Sequence, residues 1–133
     1  MTNPPLPSAF LDRMRCQLGD ELTAFLSAYQ QPPLRGVRIN PLKPVPLSTV
    51  PGAGAPVAWA QHAYELSMDS MAGAVPLHEA GAWYLQEPSA MLPTNVLNAQ
   101  PGEVVLDLCA APGGKSTQIG AAIAGHGLLA EHR

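Results

Sequence analysis

The chain has 133 residues, a net charge of −3 at pH 7, 15 prolines and 13% charged side chains, where about 25% charge is typical of a globular domain. The acidic balance differs from the basic footprint of a nucleic-acid-binding domain, and no apolar run reaches the ~18 residues of a membrane span. Residues 1–8 lack the basic start and apolar run of a secretory signal. The length is enough for one ordinary domain, the chain is apolar but frequently interrupted by proline, and no membrane partner is expected.

Basic side chains are concentrated near the beginning of the chain. Residues 1–43 carry five basic residues against three acidic ones, and residues 44–133 carry two against seven. The five basic residues are Arg13, Arg15, Arg35, Arg38 and Lys43. Any phosphate contact is therefore expected in the first third of the chain, with ordinary solvated surface arginines as the alternative explanation.

The first third predicts two amphipathic helices and one strand. Apolar residues recur on one helical face over residues 8–18 and again over 20–29, with a glycine between the two segments. Residues 35–43 alternate as a short strand, in which Arg38 points away from the apolar face. Residues 41–56 contain five prolines and are predicted to form a loop.

The second half predicts a helix followed by a strand, a glycine turn and another helix. Pro88 begins a helix over 88–97, with Met91, Val96 and Leu97 facing inward. Trp83 and Tyr84 are interpreted as core residues, with stacking on a base as the less favoured alternative. The run 104–108 is apolar on both faces, as in a buried parallel strand. A helix over 115–124, with Ile119, Ala122 and Ile123 inward, and a strand from Leu128 complete the start of a right-handed crossover unit.

The turn itself carries most of the chemical information. Residues 103–116 have the sequence Glu-Val-Val-Leu-Asp-Leu-Cys-Ala-Ala-Pro-Gly-Gly-Lys-Ser. Glycines between a strand and a helix let the backbone approach a ligand and direct the unpaired N–H groups of the helix toward it. Asp107 is the one charge in the strand, and we expect its carboxylate to hold the turn through hydrogen bonds, since an unpaired buried charge is costly.

Two phosphate-binding motifs fail at this turn. Gly114-Lys115-Ser116 matches the end of the Walker pattern, but the required earlier glycine falls on Cys109. The dinucleotide pattern G-x-G-x-x-G does not fit residues 110–116 either. Cys16 and Cys109 lack CxxC spacing, so no metal site or disulfide framework is predicted and a reducing, cytoplasmic setting fits.

Three segments together resemble one enzyme family. They are residues 107–116, the run Gln86-Glu-Pro-Ser-Ala-Met, and residues 6–29 with Arg38-Ile39-Asn40 and Leu42-Lys43. With these segments the chain resembles the Sun/NSUN-type RNA cytosine carbon-5 methyltransferases, and within them the bacterial RsmF-like ribosomal RNA enzymes. The resemblance covers most of the chain except residues 44–76.

The resemblance implies that the turn binds S-adenosylmethionine and that the partner is RNA, with ribosomal RNA expected. The implied cofactor-binding residues are Cys109, Ala110, Ala111, Pro112, Gly113, Gly114 and Lys115. The candidate RNA-binding residues are Arg35, Arg38 and Lys43. In this family a cysteine thiolate attacks carbon 6 of the cytosine. That cysteine lies downstream of the family's first motif, which residues 109–115 resemble. The nucleophilic cysteine is therefore expected to be absent from this chain, with no catalytic residue among residues 1–133.

We therefore expect an α/β protein. A small α+β amino-terminal domain, residues 1–75, precedes residues 76–133, which hold a bridging segment and the first strand–helix unit of a truncated Rossmann-like methyltransferase core. Such a fragment should be inactive alone and should expose apolar surface near 104–108, because a parallel strand needs cover on both faces. In the family, the second strand usually ends in an acidic residue that hydrogen-bonds the ribose hydroxyls of the cofactor. Glu131 lies about two positions before the place where that residue is expected. The alternative function is a non-catalytic RNA-binding adaptor that uses Arg35, Arg38 and Lys43.

Overall fold

A computed structural model describes residues 6–132, and the chain divides into two compact units, Met1–Pro33 and Leu34–Arg133. In the first unit, α1 spans Ser8–Leu18 and α2 spans Leu22–Ala28, with a 3-10 turn at Gly19–Glu21 between them. Both predicted helices are confirmed. The second begins two residues later than predicted because the 3-10 turn occupies its expected start. Three rings hold the two helices together, with centroids 5.3 to 6.3 Å apart: Phe10, Phe25 and Tyr29.

The second unit begins with an antiparallel sheet of four strands. They are β1 (Arg35–Ile39), β2 (Ala53–Pro56), β3 (Ala63–Leu66) and β4 (Trp83–Leu85), in the order β2-β3-β1-β4. Val37 lies at the centre of the sheet and is fully buried. Trp83 is buried as predicted and donates a hydrogen bond from Nε1 to the carbonyl of Ala72 at 3.1 Å. This sheet is the main core of the unit.

The proline-rich segment is more ordered than the sequence predicted. Residues Leu47–Thr49 form a 3-10 turn, and β2 follows within the segment that was expected to be a loop. Its pairing with β3 is irregular between Ala53 and Pro56. The prediction of a loop was wrong here because β2 lies at the edge of the sheet, where proline loses no ladder hydrogen bond.

Two short helices flank β4: the first lies between β3 and β4, and the second leads from the sheet to the remainder of the unit. They are α3 (Pro76–Glu79) and α4 (Leu92–Leu97), and a 3-10 turn at Pro88–Met91 precedes α4. Met91 is fully buried as predicted, but Val96 is 76% exposed and Leu97 is half exposed. Their predicted inward orientation was wrong because Pro88–Met91 form a 3-10 turn. A 3-10 turn has about three residues per turn instead of 3.6, so the residues after it are rotated around the helix axis.

The unit ends with the predicted strand, turn and helix. β5 (Val104–Asp107) pairs in parallel with β6 (Leu128–Glu131), and α5 spans Gly114–Ile123 between them. The core of this part consists of three buried residues, Ala99, Ile119 and Ile123. Ala122 is exposed, contrary to prediction, because the side of α5 facing the core is set by Ile119 and Ile123.

The predicted exposed apolar surface is confirmed. Val104, Leu106 and Leu108 lie on one face of β5 and its extension, and they are 61–74% exposed. The fold therefore presents one uncovered apolar strand face beside the glycine turn.

Within residues 6–132, no helix combines the length and the apolar character needed to cross a membrane.

Candidate cofactor site

The glycine turn is held by Asp107, the last residue of β5. Its carboxylate accepts hydrogen bonds from the backbone N–H of Cys109 at 2.9 Å and from the hydroxyl of Ser116 at 2.7 Å. The bond from Ser116 lowers the pKa of the Asp107 carboxyl; burial opposes this, and Cys109 and Lys115 lower it further. Asp107 therefore joins strand, turn and helix, as the sequence predicted.

The first N–H groups of α5 lack a partner within the helix. Gly113 precedes the helix with a φ of 110°, in the region that favours glycine. The N–H of Thr117 donates to the carbonyl of Gly113 at 2.9 Å, so the N–H groups of Gly114, Lys115 and Ser116 have no partner one turn earlier in the helix. These donors lie at the positive end of the helix dipole, which attracts polar and anionic groups.

The segment after β4 forms one wall of the turn. A Cβ atom at Gly114 would lie 2.8 Å from Nε2 of Gln86 and 3.4 Å from the ring of Tyr84. The hydroxyl of Tyr84 donates to the carbonyl of Pro112 at 3.2 Å, and the peptide bond between Ala111 and Pro112 is cis. Glycine at position 114 therefore permits a close approach that a larger residue would prevent.

An open cavity of about 230 Å³ lies between this wall and the turn. Its lining includes five of the seven predicted cofactor-binding residues: Cys109, Ala111, Pro112, Gly114 and Lys115. Glu87 lines the opposite wall. Burial acts to raise the pKa of its carboxyl, but hydrogen bonds from Ser89 and Ala90 together outweigh it, so the pKa is lowered. The cavity thus has one cation, one anion and a set of backbone donors around it.

The two remaining residues of the motif lie within the same turn. Ala110 is buried, and Gly113 supplies the left-handed conformation before the helix. Within residues 6–132, no three side chains of the metal-binding types His, Cys, Asp and Glu come together.

Arg38 lies in the interior, against the start of α5. Its side chain donates to the carbonyl of Gly114 at 3.0 Å, to Oγ1 of Thr117 at 2.8 Å and to Oε1 of Gln118 at 3.0 Å. It also donates to Oε1 of Gln86. Burial lowers the pKa of Arg38 to about 10, and the nearby Tyr84 has the opposite effect.

The guanidinium of Arg38 lies 5.6 Å from the ring centroid of Tyr84, and the residue is 6% exposed. The prediction that Arg38 grips RNA phosphates does not fit this placement, because its polar atoms already bind this chain. Instead, Arg38 links β1 to the helix that follows the glycine turn.

The other two candidate RNA-binding residues lie nearer the surface. Arg35 is partly buried and donates to the carbonyl of Met68 at 2.7 Å. Lys43 is exposed and donates from Nζ to the carbonyl of Ala80 at 2.7 Å. Because an ammonium has three donors, this single bond to Ala80 leaves Lys43 able to contact a phosphate.

The remaining singled-out residues have clear positions. Cys109 is exposed at the turn, whereas Cys16 is exposed on α1 in the other unit. Glu131 ends β6 and lies opposite Asp107 in the parallel register. The carboxyl ends of β5 and β6 therefore bring Asp107 and Glu131 to the same edge of the sheet.

Three residues contribute to the site in ways that the sequence did not predict. Ser116 is the hydroxyl partner of Asp107 and Thr117 accepts from Arg38. Gln86 also accepts from Arg38, and its amide lies close to Gly114. The sequence did offer a signal for Ser116: it is a polar residue in the first turn of the helix that follows Asp107. The roles of Gln86 and Thr117 depend on long-range packing and had no local signal.

The parallel strand, glycine turn, helix and second parallel strand define an α/β protein with the beginning of a doubly wound core. Solved structures agree with this class. One, described as a methyltransferase homolog protein from Pyrococcus horikoshii, matches 95% of this chain and 48% of its own length, with a TM-score of 0.72 and 25% identity. A second solved structure matches 98% of the chain and 34% of its own length with a TM-score of 0.80; at 23% identity it supports the fold alone.

Sequence comparisons give the family. The family model for the N-terminal domain of the 16S rRNA methyltransferase RsmF matches residues 6–88. Ribosomal RNA small subunit methyltransferase F of Vibrio parahaemolyticus is 34% identical over 96% of this chain and 29% of its own length. The Klebsiella pneumoniae protein of the same name is 40% identical over 86% of the chain and 27% of its own length.

The chain belongs to the RsmF family of ribosomal RNA methyltransferases. It spans less than a third of the length of these two curated relatives.

Proposed function

We propose that this chain is the amino-terminal part of an S-adenosylmethionine-dependent ribosomal RNA cytosine carbon-5 methyltransferase, with the cofactor bound by residues 109–115. The observation that carries the proposal is the Asp107–Ser116 link, which holds a glycine turn with unpaired helix N–H groups beside an open cavity. The missing glycine at position 109 argues against a triphosphate in the same turn. A methyl donor is the ligand that fits the family and this turn together.

The residues of the turn suit different parts of the cofactor. The first N–H groups of α5 and the Lys115 ammonium suit its carboxylate. Glu131 comes early for the family's ribose-binding acid but lies in register with Asp107 at the strand ends, and we assign it hydrogen bonds from the ribose hydroxyls as part of the proposal. The cofactor would supply the methyl group, and this chain's residues would hold and orient it.

RNA is the proposed substrate, and its phosphates are assigned to Lys43 and Arg35 on the surface of the sheet unit. Arg38 is assigned a structural role because its guanidinium is buried among this chain's own acceptors. The nucleophilic cysteine is proposed to lie outside residues 1–133, so this chain alone should bind the cofactor without methylating RNA. A cytoplasmic location fits a ribosomal RNA substrate.

Calorimetric titration of S-adenosylmethionine into the chain tests the cofactor assignment. Gly113→Ala should weaken binding at least 10-fold, because a Cβ is strained at a φ of 110° and would displace the first N–H groups. Gly102→Ala is the matched control: Gly102 also has a positive φ, of 96°, but lies in the turn before β5. Equal loss of binding in both variants would contradict the proposal that residues 109–115 bind the cofactor.

The adaptor alternative is separated by pairing this titration with an RNA titration. Lys115→Ala should weaken cofactor binding and leave RNA binding unchanged, and Lys43→Ala should do the reverse. RNA binding by a folded chain that gives no heat with S-adenosylmethionine would favour the adaptor.

A further inference from the structure

A second cavity, of about 320 Å³, is larger than the one at the glycine turn and shares none of its lining residues. It lies between the end of β1, the turn before β3, α4 and α5. We call it the amide cavity, because four carboxamide side chains line it: Gln61, Asn95, Asn98 and Gln118. Its size falls in the ~300–1,000 Å³ range of small-molecule sites.

The lining combines polar edges with a small apolar wall. Ile39, Pro41, Ala99, Ile119, Ala121 and Ala122 form the apolar part, and no acidic residue lines the cavity. Arg38 also lines it, but its guanidinium is already bonded to Gly114, Thr117 and Gln118. Each carboxamide offers both donors and an acceptor, which is the pattern that pairs with the edge of a nucleobase. Small aliphatic side chains leave a flat surface against which a planar ring can lie. The lining therefore suits a nucleobase better than a charged or purely apolar ligand.

Two of the four carboxamides are already used by the protein, and two are available. Asn95 donates to the carbonyl of Met91 at 2.8 Å, and Gln118 accepts from Arg38 at 3.0 Å. The side chains of Gln61 and Asn98 make no hydrogen bond with residues 6–132. The cavity thus contains two fixed amides and two that can turn toward a ligand.

The backbone at the rim is held in an unusual conformation. His62 and Asn98 both line the cavity and both have positive φ, of 57° and 49°. Asparagine and histidine are among the non-glycine residues that adopt this conformation most often, and Asn98 does so as the residue that ends α4. The carbonyl of His62 is fixed by the N–H of Ile39 at 2.8 Å. This bond secures the turn that carries Gln61 and His62.

A cationic pocket of about 180 Å³ adjoins the amide cavity. Arg38, Pro41 and Ala121 line both cavities. Lys43 and Asn40 line only the cationic pocket, and no acidic residue lines it. Because the Lys43 ammonium keeps two donors after its bond to Ala80, this pocket suits a phosphate. A base site and a phosphate site that share a wall match the parts of one nucleotide.

We propose that the amide cavity binds one unpaired base of an RNA strand whose neighbouring phosphate lies against Lys43. The inference rests on the proposed RNA substrate and names a contact outside the cofactor turn. A base in a helix presents its pairing edge to another base, so the cavity selects a single-stranded or looped nucleotide. The second unit, Leu34–Arg133, would thereby position RNA through one base held next to its phosphate.

The test uses the 133-residue chain and a fluorescein-labelled single-stranded RNA of eight nucleotides, with binding followed by anisotropy at fixed salt. Replacing both Gln61→Ala and Asn98→Gly removes the two available amides, and glycine keeps the positive φ of position 98. Affinity should fall about 5- to 100-fold, as for the loss of base-edge hydrogen bonds. Gln31→Ala, an exposed amide on the other unit, is the matched control and should bind like the unmodified chain.

Two further measurements separate a base site from general phosphate binding. Nuclear magnetic resonance titrations with cytidine and adenosine 5′-monophosphates should shift the side-chain amide signals of Gln61 and Asn98, and ribose 5-phosphate should not. Ala122→Phe places a ring at the mouth of the cavity from an exposed position and should weaken RNA binding as the double variant does. Because Ala122→Phe leaves both amides in place, it still tests the cavity if the double variant does not fold.

The outcomes distinguish this inference from the proposed function. RNA binding that depends on Lys43 but is unchanged in the double variant and in Ala122→Phe would overturn the base site and leave the RNA substrate standing. Equal shifts from ribose 5-phosphate and the nucleotides would also overturn it. A folded chain that binds S-adenosylmethionine but no RNA would overturn both the base site and the RNA assignment of this unit.

Discussion

The hydroxyl of Ser116 donates a 2.7 Å hydrogen bond to the carboxylate of Asp107, and this bond joins the end of β5 to the first turn of α5. Both residues are buried, at 3% and 6% exposure. Since the same carboxylate also binds the N–H of Cys109 at 2.9 Å, one side chain fixes both ends of the candidate cofactor turn.

Ser116→Ala should lower the free energy of unfolding by about 1.5–3 kcal/mol, the range for hydrogen bonds to charged groups. Urea unfolding followed by circular dichroism measures the change. Ser89→Ala is the matched control, because the Ser89 hydroxyl also donates to a carboxylate, that of Glu87, but Ser89 is exposed. We expect a smaller loss there. Equal losses in the two variants would mean that the Asp107 bond contributes no more than an exposed one.

The pH dependence of stability should also report on Asp107. Its pKa is lower in the folded chain, with the Ser116 hydrogen bond as the largest cause. The stabilisation from the ionised carboxylate is therefore complete above the unfolded value of about 3.9 and is lost as the pH falls through the lower folded value.

Urea unfolding between pH 7 and pH 2.5 tests this expectation. Asp107→Asn should flatten the decline in stability below about pH 4, relative to the unmodified chain. Some decline should remain, because Asp69 and Glu87 also have lowered pKa values. An unchanged acid slope in Asp107→Asn would show that the folded state does not favour the charged form of this carboxyl.

Arg38 links the sheet to α5 through a geometry that lysine cannot reproduce. Its planar guanidinium reaches Gly114, Thr117 and Gln118 at once, whereas an ammonium is a single point of charge. Arg38→Lys should cost about 2–4 kcal/mol of unfolding free energy, because buried acceptors lose their donors.

Arg35→Lys provides the matched control for the lysine substitution. Arg35 belongs to the same strand but is less buried, and its hydrogen bonds go to loop carbonyls, those of Ser67 and Met68. We expect a loss below about 1 kcal/mol. If thermal and urea unfolding rank the two variants equally, the Arg38 contacts do not stabilise the fold as described.

Local patterns in the sequence were enough to predict the elements around the site. The apolar spacing of residues 8–18 and the following glycine predicted α1 as the structure has it. The apolar run before the glycines predicted β5, and Asp107 was expected to hold the turn before any partner was known. Each of these features depends on neighbours within about ten residues, which the sequence displays directly.

The features that were missed depend on distant residues. Strand alternation predicted that Arg38 lies on the face opposite Val37. It did not predict that α5 covers this face, because Thr117, which binds Arg38, lies 79 residues later in the chain. The β2 strand was hidden by its prolines, which are compatible with an edge strand. The amide cavity likewise combines four separate segments of the chain, and no single segment indicates it.

The uncovered face of β5 gives a last prediction. Val104, Leu106 and Leu108 are exposed together on one face, and adjoining apolar side chains of this kind favour self-association. Leu106→Lys should reduce self-association, measured by sedimentation velocity, and change the free energy of unfolding by less than about 0.5 kcal/mol, as expected at an exposed position. Leu42→Lys, at a separate residue that is 56% exposed, should leave association unchanged. A large loss of stability in Leu106→Lys would instead show that this face is covered in the folded chain.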